Sequence, residues 1–368
     1  MLEIAALMNI GILVPVLSDR DAVGTDALEM AAALERLGHN VRVFAQTTIG
    51  RVGKTSKPAA LAGFVAASDD LVIYHFSYGW SPALDILRPL RCRRIVRYHN
   101  ITPSEFFKDY SPEYVAACGS GRAEIKPLAK LDCELYLGAS PFNIEDFLAA
   151  GVAPARTAVL APFNRIDRLL HAHADLALID RYRDASSTWL SVGRLAPNKA
   201  HLNLVDAFAV CLRAYDPAAR LIVVGRADPR LARYTEAIHA RIAQLGIKDS
   251  VHFLSDVSDG ELKAAYLVAD ALVSVSEHEG FCVPLAEAMA LGTPIVGYAA
   301  GAVAWTAGDA GLIWDESDPY LFAASVAQLR EDDVLRKTLR DLGSARVQEE
   351  FSTSALVRKL GTILEDFQ

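Results

Sequence analysis

The chain has 368 residues, 52% hydrophobic and 22% charged, which suits about two domains with separate cores. That balance excludes a wholly disordered, collagen-like or disulfide-stapled chain. Lys and Arg total 37 against 45 Asp and Glu, a formal net charge of −8, so general nucleic-acid binding is disfavoured.

The N-terminal near-apolar run Ile4–Leu17 is broken by Asn9, Gly11 and Pro15 and is too short to span a bilayer. It carries Glu3 upstream, with no basic n-region and no clear cleavage site, so no signal peptide is expected. Cys92, Cys118, Cys133, Cys211 and Cys282 are widely spaced and form no C-x-x-C pair, which reads as reduced thiols. A soluble, cytoplasmic protein is expected.

Short β-branched runs then alternate with longer runs of helical period, the pattern of βαβ units on a parallel sheet. A first round of strands is expected at Asn9–Val16, Val41–Phe44, Leu71–Phe76, Ile95–Tyr98, Leu135–Ala139 and Thr157–Leu160. A second is expected at Trp189–Val192, Leu221–Val224, Val251–Leu254, Ala271–Ser276, Pro294–Tyr298 and Gly311–Trp314. Helical stretches such as Asp26–Leu37, Leu202–Ala214, Tyr234–Leu245 and Glu261–Ala269 lie between them. Phe163–Ser187 has no strand-like run and separates the rounds; Val334–Phe367 reads as helices broken at Gly343 and Gly361. The fold class is α/β, with two Rossmann-like domains facing across a cleft. Ligands in such sheets sit at the C-terminal ends of strands.

The most informative strand end is SVSEHEGFCVPLAEAMALGTPIVGY, from Ser274 to Tyr298. Pro284 suits a first helical position and Gly292 a left-handed cap, so a short helix is expected over Pro284–Leu291. Glu279 falls in the loop at the helix mouth and Glu287 about one turn inside. The mouth offers backbone N–H groups and a positive dipole end. Two acids beside an anion site suit a ligand that also carries hydroxyls; a solvated surface pair is the alternative. After Trp189–Val192 comes GRLAPNK, where Arg194 and Lys199 have the spacing to clamp a diphosphate or to stand as exposed cations on a turn.

EGFCVPLAEAMALGTPIV resembles the E-x7-E signature of the family 4 retaining glycosyltransferases, which have the GT-B fold. The likeness extends over most of the chain and is strongest from Trp189 to Trp314. It implies an N-terminal acceptor-binding domain over 1–170, a C-terminal nucleotide-sugar-binding domain over 171–345, and a helix over 346–368 returning to the first domain. By the same resemblance Glu279 contacts hydroxyls of the transferred sugar and Glu287 the ribose. Backbone amides around Gly280, Phe281, Cys282 and Val283 approach sugar and diphosphate, and the helix mouth from Cys282 to Leu285 neutralises the leaving diphosphate. Many members have Gly where this chain has Cys282; a nucleophilic role for that thiol is not required by the family. GRLAPNKA resembles the family's GRLxxxKG element, whose Arg and Lys bind the diphosphate, with Ala200 in place of the final Gly. Val257, after the third strand of the second round, corresponds to a loop that contacts the base.

In the first half, YHNITPSEFF resembles the segment whose His reaches the donor sugar or its phosphate, a role transferred to His99. Gly24 stands where many relatives have a Gly pair that approaches the phosphates; it also reads as turn punctuation. His75 reads either as a lining of the acceptor pocket or as a buried, satisfied side chain. Arg88, Arg91, Arg93, Arg94 and Arg97 fall within ten residues. They read as a solvated helix end and strand edge, or as a patch for anionic lipid.

The resemblance implies a hexosyltransferase that moves a sugar from a UDP- or GDP-sugar to a saccharide or lipid-linked saccharide, in bacterial polysaccharide or glycolipid assembly. Peripheral contact with the inner membrane face goes with the lipid reading of the arginines. No cofactor and no essential metal are expected, since no strict D-x-D pair is present. An NAD-dependent oxidoreductase is disfavoured because the loops after Val14, Val224 and Val275 lack G-x-G-x-x-G. A two-lobed solute-binding protein would carry an export signal. A sugar-nucleotide epimerase shares the architecture but not the EGF…E element.

Overall fold

In the computed structural model, which describes residues 7–19, 21–184 and 186–365, twelve strands build two six-stranded sheets. The first sheet holds β1 (Asn9–Ser18), β2 (Asn40–Ile49), β3 (Leu71–Phe76), β4 (Arg93–Tyr98), β5 (Leu135–Gly138) and β6 (Thr157–Val159), in the order β2-β1-β3-β4-β5-β6. The second holds β7 (Thr188–Val192), β8 (Arg220–Val224), β9 (Val251–Leu254), β10 (Ala271–Ser274), β11 (Ile295–Tyr298) and β12 (Gly311–Trp314), in the order β12-β11-β10-β7-β8-β9. Every pairing is parallel. Each strand overlaps the apolar run that foretells it, because parallel strands covered on both faces are apolar throughout.

The chain forms two compact units. Unit 1 comprises Met1–Pro103, Ala116–Asn164 and Glu350–Gln368; unit 2 comprises Ser104–Val115 and Arg165–Glu349. The segment Ser104–Val115, inside the expected first domain, therefore belongs to unit 2. The C-terminal helix Thr353–Glu365 lies in unit 1.

Local chemistry explains the elements nearest the strand ends. The helix Ala22–Arg36 starts where the Asp21 carboxylate accepts from the Gly24 amide at 2.7 Å. It buries Ala27, Met30, Ala31 and Leu34 at helical spacing, and Gly38 follows with φ +95°. In unit 2, Trp189 is fully buried with its ring 5.6 Å from Phe208. Burying a side chain of that size contributes about 3 kcal/mol, which fixes β7 beneath the helix His201–Ala214. Among the described residues no helix is long and apolar enough to cross a membrane.

Candidate active site

Outward from β7 the second sheet continues through β8 and β9, and outward from β10 through β11 and β12. The ends of β7 and β10 are thus the switch point where such sheets bind ligands. A narrow cavity there is lined by Gly193, Lys199, His201, Ser274, Ser276 and Cys282. The two motif loops are tied together beside it. The Glu277 amide donates to Asn198 O at 2.9 Å, and Asn198 Nδ2 donates to His278 O at 3.1 Å.

Lys199 ends a short turn, Pro197–Lys199, and its ammonium pairs with the Glu279 carboxylate. Their side chains are only 18% and 8% exposed, so the pair is largely withdrawn from water. Burial alone lowers the Lys199 pKa, but Glu279 outweighs it and holds the group charged. Arg194 lies exposed on the same loop, its Nη1 3.3 Å from Tyr114 Oη. Glu279 is fixed from behind: its carbonyl accepts from the Ala302 amide at 2.9 Å, and Gly301, with φ +58°, packs against its backbone.

The helix Val283–Leu291 opens with Pro284 near its N-terminus and closes on Gly292 at φ +72°, as the spacing requires. Its N-cap, Cys282, is itself left-handed at φ +69°. That is why glycine suits this position, and the same holds for Ala200 at φ +51°. Burial pushes the Cys282 thiol up to about 12, so it is no nucleophile near neutrality. The Phe281 carbonyl accepts from Thr306 Oγ1 at 2.5 Å, which holds the loop backbone. The Leu285 amide donates to Cys282 O at 3.0 Å within the first turn. Gly280 and Val283 complete the helix mouth.

Glu287 is 1% exposed. Arg165 Nε donates to its Oε1 at 2.9 Å and Tyr266 Oη to its Oε2 at 2.8 Å. It is therefore a buried, paired group and not a solvated surface acid. Val257 lies half-buried after β9, beyond β8 from β7, in the loop before the capping box of Ser258 and Glu261.

Gly24 and His99 belong to unit 1. Gly24 has a packing reason of its own, since a Cβ there would stand 1.7 Å from Ser18 O. Its amide donates to the carboxylate of Asp21, the N-cap of the helix Ala22–Arg36. His99 Nε2 turns into a buried cluster at the ends of β3 and β4. It lies 3.0 Å from His75 Nδ1 and 3.5 Å from Asp26 Oδ2. Asp26 also takes Arg97 Nε at 2.9 Å and the Phe163 amide at 2.6 Å. Burial alone would raise Asp26, but the Arg97 guanidinium outweighs it and holds the carboxyl below the usual carboxylate range. Burial drives His75 down to about 4 and His99 well below its usual value, so both rings are neutral. Arg97 is fully buried, which removes it from the surface arginine patch; Arg88 and Arg91 remain exposed.

Asp26, His75 and His99 are the one group among the described residues with metal-ligand spacing. Arg97 already neutralises that carboxylate at 2.9 Å, and a divalent cation would face the guanidinium, so the cluster does not fit a metal ion.

Several residues near the site escape the sequence patterns: Arg165, Tyr266, Asn198 and the segment Ser104–Val115. In that segment Phe106, Tyr110 and Tyr114 recur every fourth residue, a signal that was available. The Phe106 ring lies 6.0 Å from His278, and Tyr110 lies 5.0 Å from Tyr234. Tyr114 donates to Asp228 at 2.7 Å and accepts from Arg230 at 3.2 Å as well as from Arg194.

The class follows from the fold: two parallel, doubly wound sheets of these strand orders are of the GT-B type. The structure of Anabaena Alr3699/HepE in complex with UDP is similar at TM-score 0.74 and 20% identity, over 98% of this chain and 100% of that one. The same protein in complex with UDP-glucose gives 0.71 and 19%, over 98% and 100%. Sucrose-phosphate synthase from Thermosynechococcus elongatus gives 0.76 and 18%, over 98% of each chain. In sequence, residues 182–346 match the family model described as Glycosyl transferases group 1. The D-inositol 3-phosphate glycosyltransferase of Salinispora arenicola is 38% identical over 155 residues, 40% of this chain and 34% of that protein. Matches to such curated relatives span 34% to 51% of their length.

Proposed function

We propose that this protein is a retaining glycosyltransferase that moves a hexose from a nucleoside-diphosphate sugar to a hydroxyl of a saccharide or lipid-linked saccharide. One observation carries the reading: Lys199, Glu279 and the mouth of the helix Val283–Leu291 converge at the ends of β7 and β10, inside the segment matching the glycosyltransferase model. UDP is favoured over GDP because Alr3699/HepE is described in complex with UDP and with UDP-glucose. An epimerase or an oxidoreductase is not favoured by any comparison.

In this reading Arg194, Lys199 and the helix mouth stabilise charge on the departing diphosphate. The bond from the anomeric carbon to the phosphate oxygen breaks, and the acceptor oxygen bonds that carbon on the same face. The acceptor proton passes to the phosphate oxygen that leaves, so no separate enzymic base is needed. Glu279 holds sugar hydroxyls and Glu287 the ribose. Unit 1 supplies the acceptor site, and the exposed Arg88 and Arg91 suit an acceptor presented at the cytoplasmic membrane face.

Thermal stabilisation by UDP, GDP and ADP, followed by assay of donor turnover, tests the reading. Stabilisation by UDP with release of UDP from a UDP-sugar is expected. No stabilisation by any nucleoside diphosphate would overturn it. Turnover is expected to persist in excess EDTA, and loss restored by magnesium or manganese would show a required metal.

A further inference from the structure

The Lys199–Glu279 ion pair has a consequence for which ligands the site prefers. The ammonium that the proposed function assigns to phosphate is already engaged by a carboxylate. The Ala302 amide and the close-packed Gly301 hold the Glu279 backbone, so the carboxylate starts from a fixed point beside Lys199. The backbone that carries Lys199 is tied to the same loop, since Asn198 beside it is bonded to the backbone of Glu277 and His278. A phosphate approaching Lys199 therefore meets a second anion on the same cation, in a setting mostly withdrawn from water.

Two ligands fare differently against that arrangement. An intact nucleotide sugar brings hydroxyls that donate to Glu279 and compensate it for sharing Lys199. A nucleoside diphosphate brings phosphates but no such hydroxyls, and leaves a buried carboxylate less well paired, which is costly. We propose that Glu279 competes with phosphate for Lys199 and so discriminates the intact donor from the nucleoside diphosphate left after transfer. This rests on the reading above and adds to it: Glu279 lowers affinity for the product as well as holding the sugar. Favouring a reactant over its product is a difference of affinities, obtained here by an element that repels the unwanted ligand.

The test is calorimetric titration of UDP, GDP, inorganic pyrophosphate and the UDP-sugar into wild type, E279Q, E279A, K199A and the K199A/E279Q double variant. Circular dichroism confirms folding; E279A stands in if E279Q is not folded. E279Q is expected to bind UDP and pyrophosphate about tenfold tighter than wild type, a difference of about 1.4 kcal/mol. Its preference for UDP-sugar over UDP is expected to fall by more than that factor. In the K199A background the substitution is expected to bring no gain. A Glu279 that touches only the sugar predicts unchanged UDP affinity, and unchanged or weaker UDP binding by E279Q and E279A overturns the inference. If wild type binds none of the phosphates, the glycosyltransferase reading fails with it. If wild type binds UDP, K199A weakens it and E279Q brings no gain, the inference alone fails.

Discussion

Arg165 Nε donates to Glu287 Oε1 at 2.9 Å, joining residues 122 positions apart in sequence. Arg165 also reaches Asp259 at 3.7 Å, and Asp259 pairs with Arg168 at 2.7 Å. Glu287 is thus the buried end of a charged chain whose other end is exposed. Any ribose hydroxyl that it accepts joins a carboxylate already oriented by Arg165 and Tyr266.

Glu287→Gln is therefore expected to act on stability as well as on nucleotide binding. It leaves the Arg165 guanidinium, about a third exposed, without its closest counter-charge. The expected cost is about 1–3 kcal/mol, below the range for a fully buried pair because water screens Arg165. Urea unfolding measures it. A midpoint equal to that of wild type would show that the pair contributes nothing.

Tyr114→Phe removes one hydroxyl while keeping the ring against Phe107 and Arg230. It frees Arg194 from its bond at 3.3 Å. If Arg194 holds the diphosphate, affinity for UDP is expected to fall about two- to tenfold, the worth of one ordinary hydrogen bond, with affinity for uridine unchanged. Equal losses for both ligands in calorimetry would place the effect outside the clamp.

Acid is expected to destabilise unit 1. The folded-state pKa of His75 is depressed to about 4, so the unfolded chain binds a proton that the folded chain refuses as pH falls below the usual imidazole range. Stability is then full above about pH 6.5 and lost progressively toward pH 4, by at most about 1.4 kcal/mol per pH unit for each histidine that behaves this way. His99 acts in the same direction, and Asp26, depressed by Arg97, adds its loss only below the usual carboxylate range. Unfolding midpoints at pH 7.5, 5.5 and 4.5 check the slope. A stability that rises on acidification over that interval would contradict it.

Backbone strain gives a further pair of expectations. Ala200 sits at φ +51°. Ala200→Gly is expected to stabilise by about 0.5–1 kcal/mol by relieving a conformation that a Cβ disfavours. Gly301→Ala is expected to cost about 1–3 kcal/mol, because its Cβ would lie 2.4 Å from Glu279 O at a positive φ. The same change should weaken UDP-sugar binding by displacing the loop that carries Glu279. Thermal melts and calorimetry of the two variants decide, and a stabilised Gly301→Ala would show that the loop relaxes freely.

The strand pattern and the two motif loops are legible in the sequence because their information is local. β-branched runs mark strands, and the loop after a strand end marks the site. Glu279, Glu287, Arg194 and Lys199 all stand on or just behind such loops. The partners that set their properties are not legible. Arg165 meets Glu287, Tyr114 meets Arg194 and Asp26 meets Arg97 across 122, 80 and 71 residues, with nothing local to announce them. Spacing groups Arg97 with surface arginines because it does not tell which side chains of a strand point inward; β4 lies between β3 and β5, where a charge persists only with a partner. Ala200 and Cys282 stand out as departures from glycine positions, but their left-handed backbone is visible only in the structure.

The chain enters unit 2 at Ser104, leaves after Val115, and returns from Arg165 to Glu349. Recombination at a single junction near Arg165 would carry the whole second sheet into a new context and leave behind the aromatic segment that covers it. Tyr234 would lose the ring of Tyr110, and Arg194 and Arg230 the hydroxyl they share. A working chimera needs two grafts, the twelve-residue piece and the long one, exchanged together. Unit 2 is portable only as a discontinuous pair of segments, which couples any change in residues 104–115 to the long piece that follows Arg165.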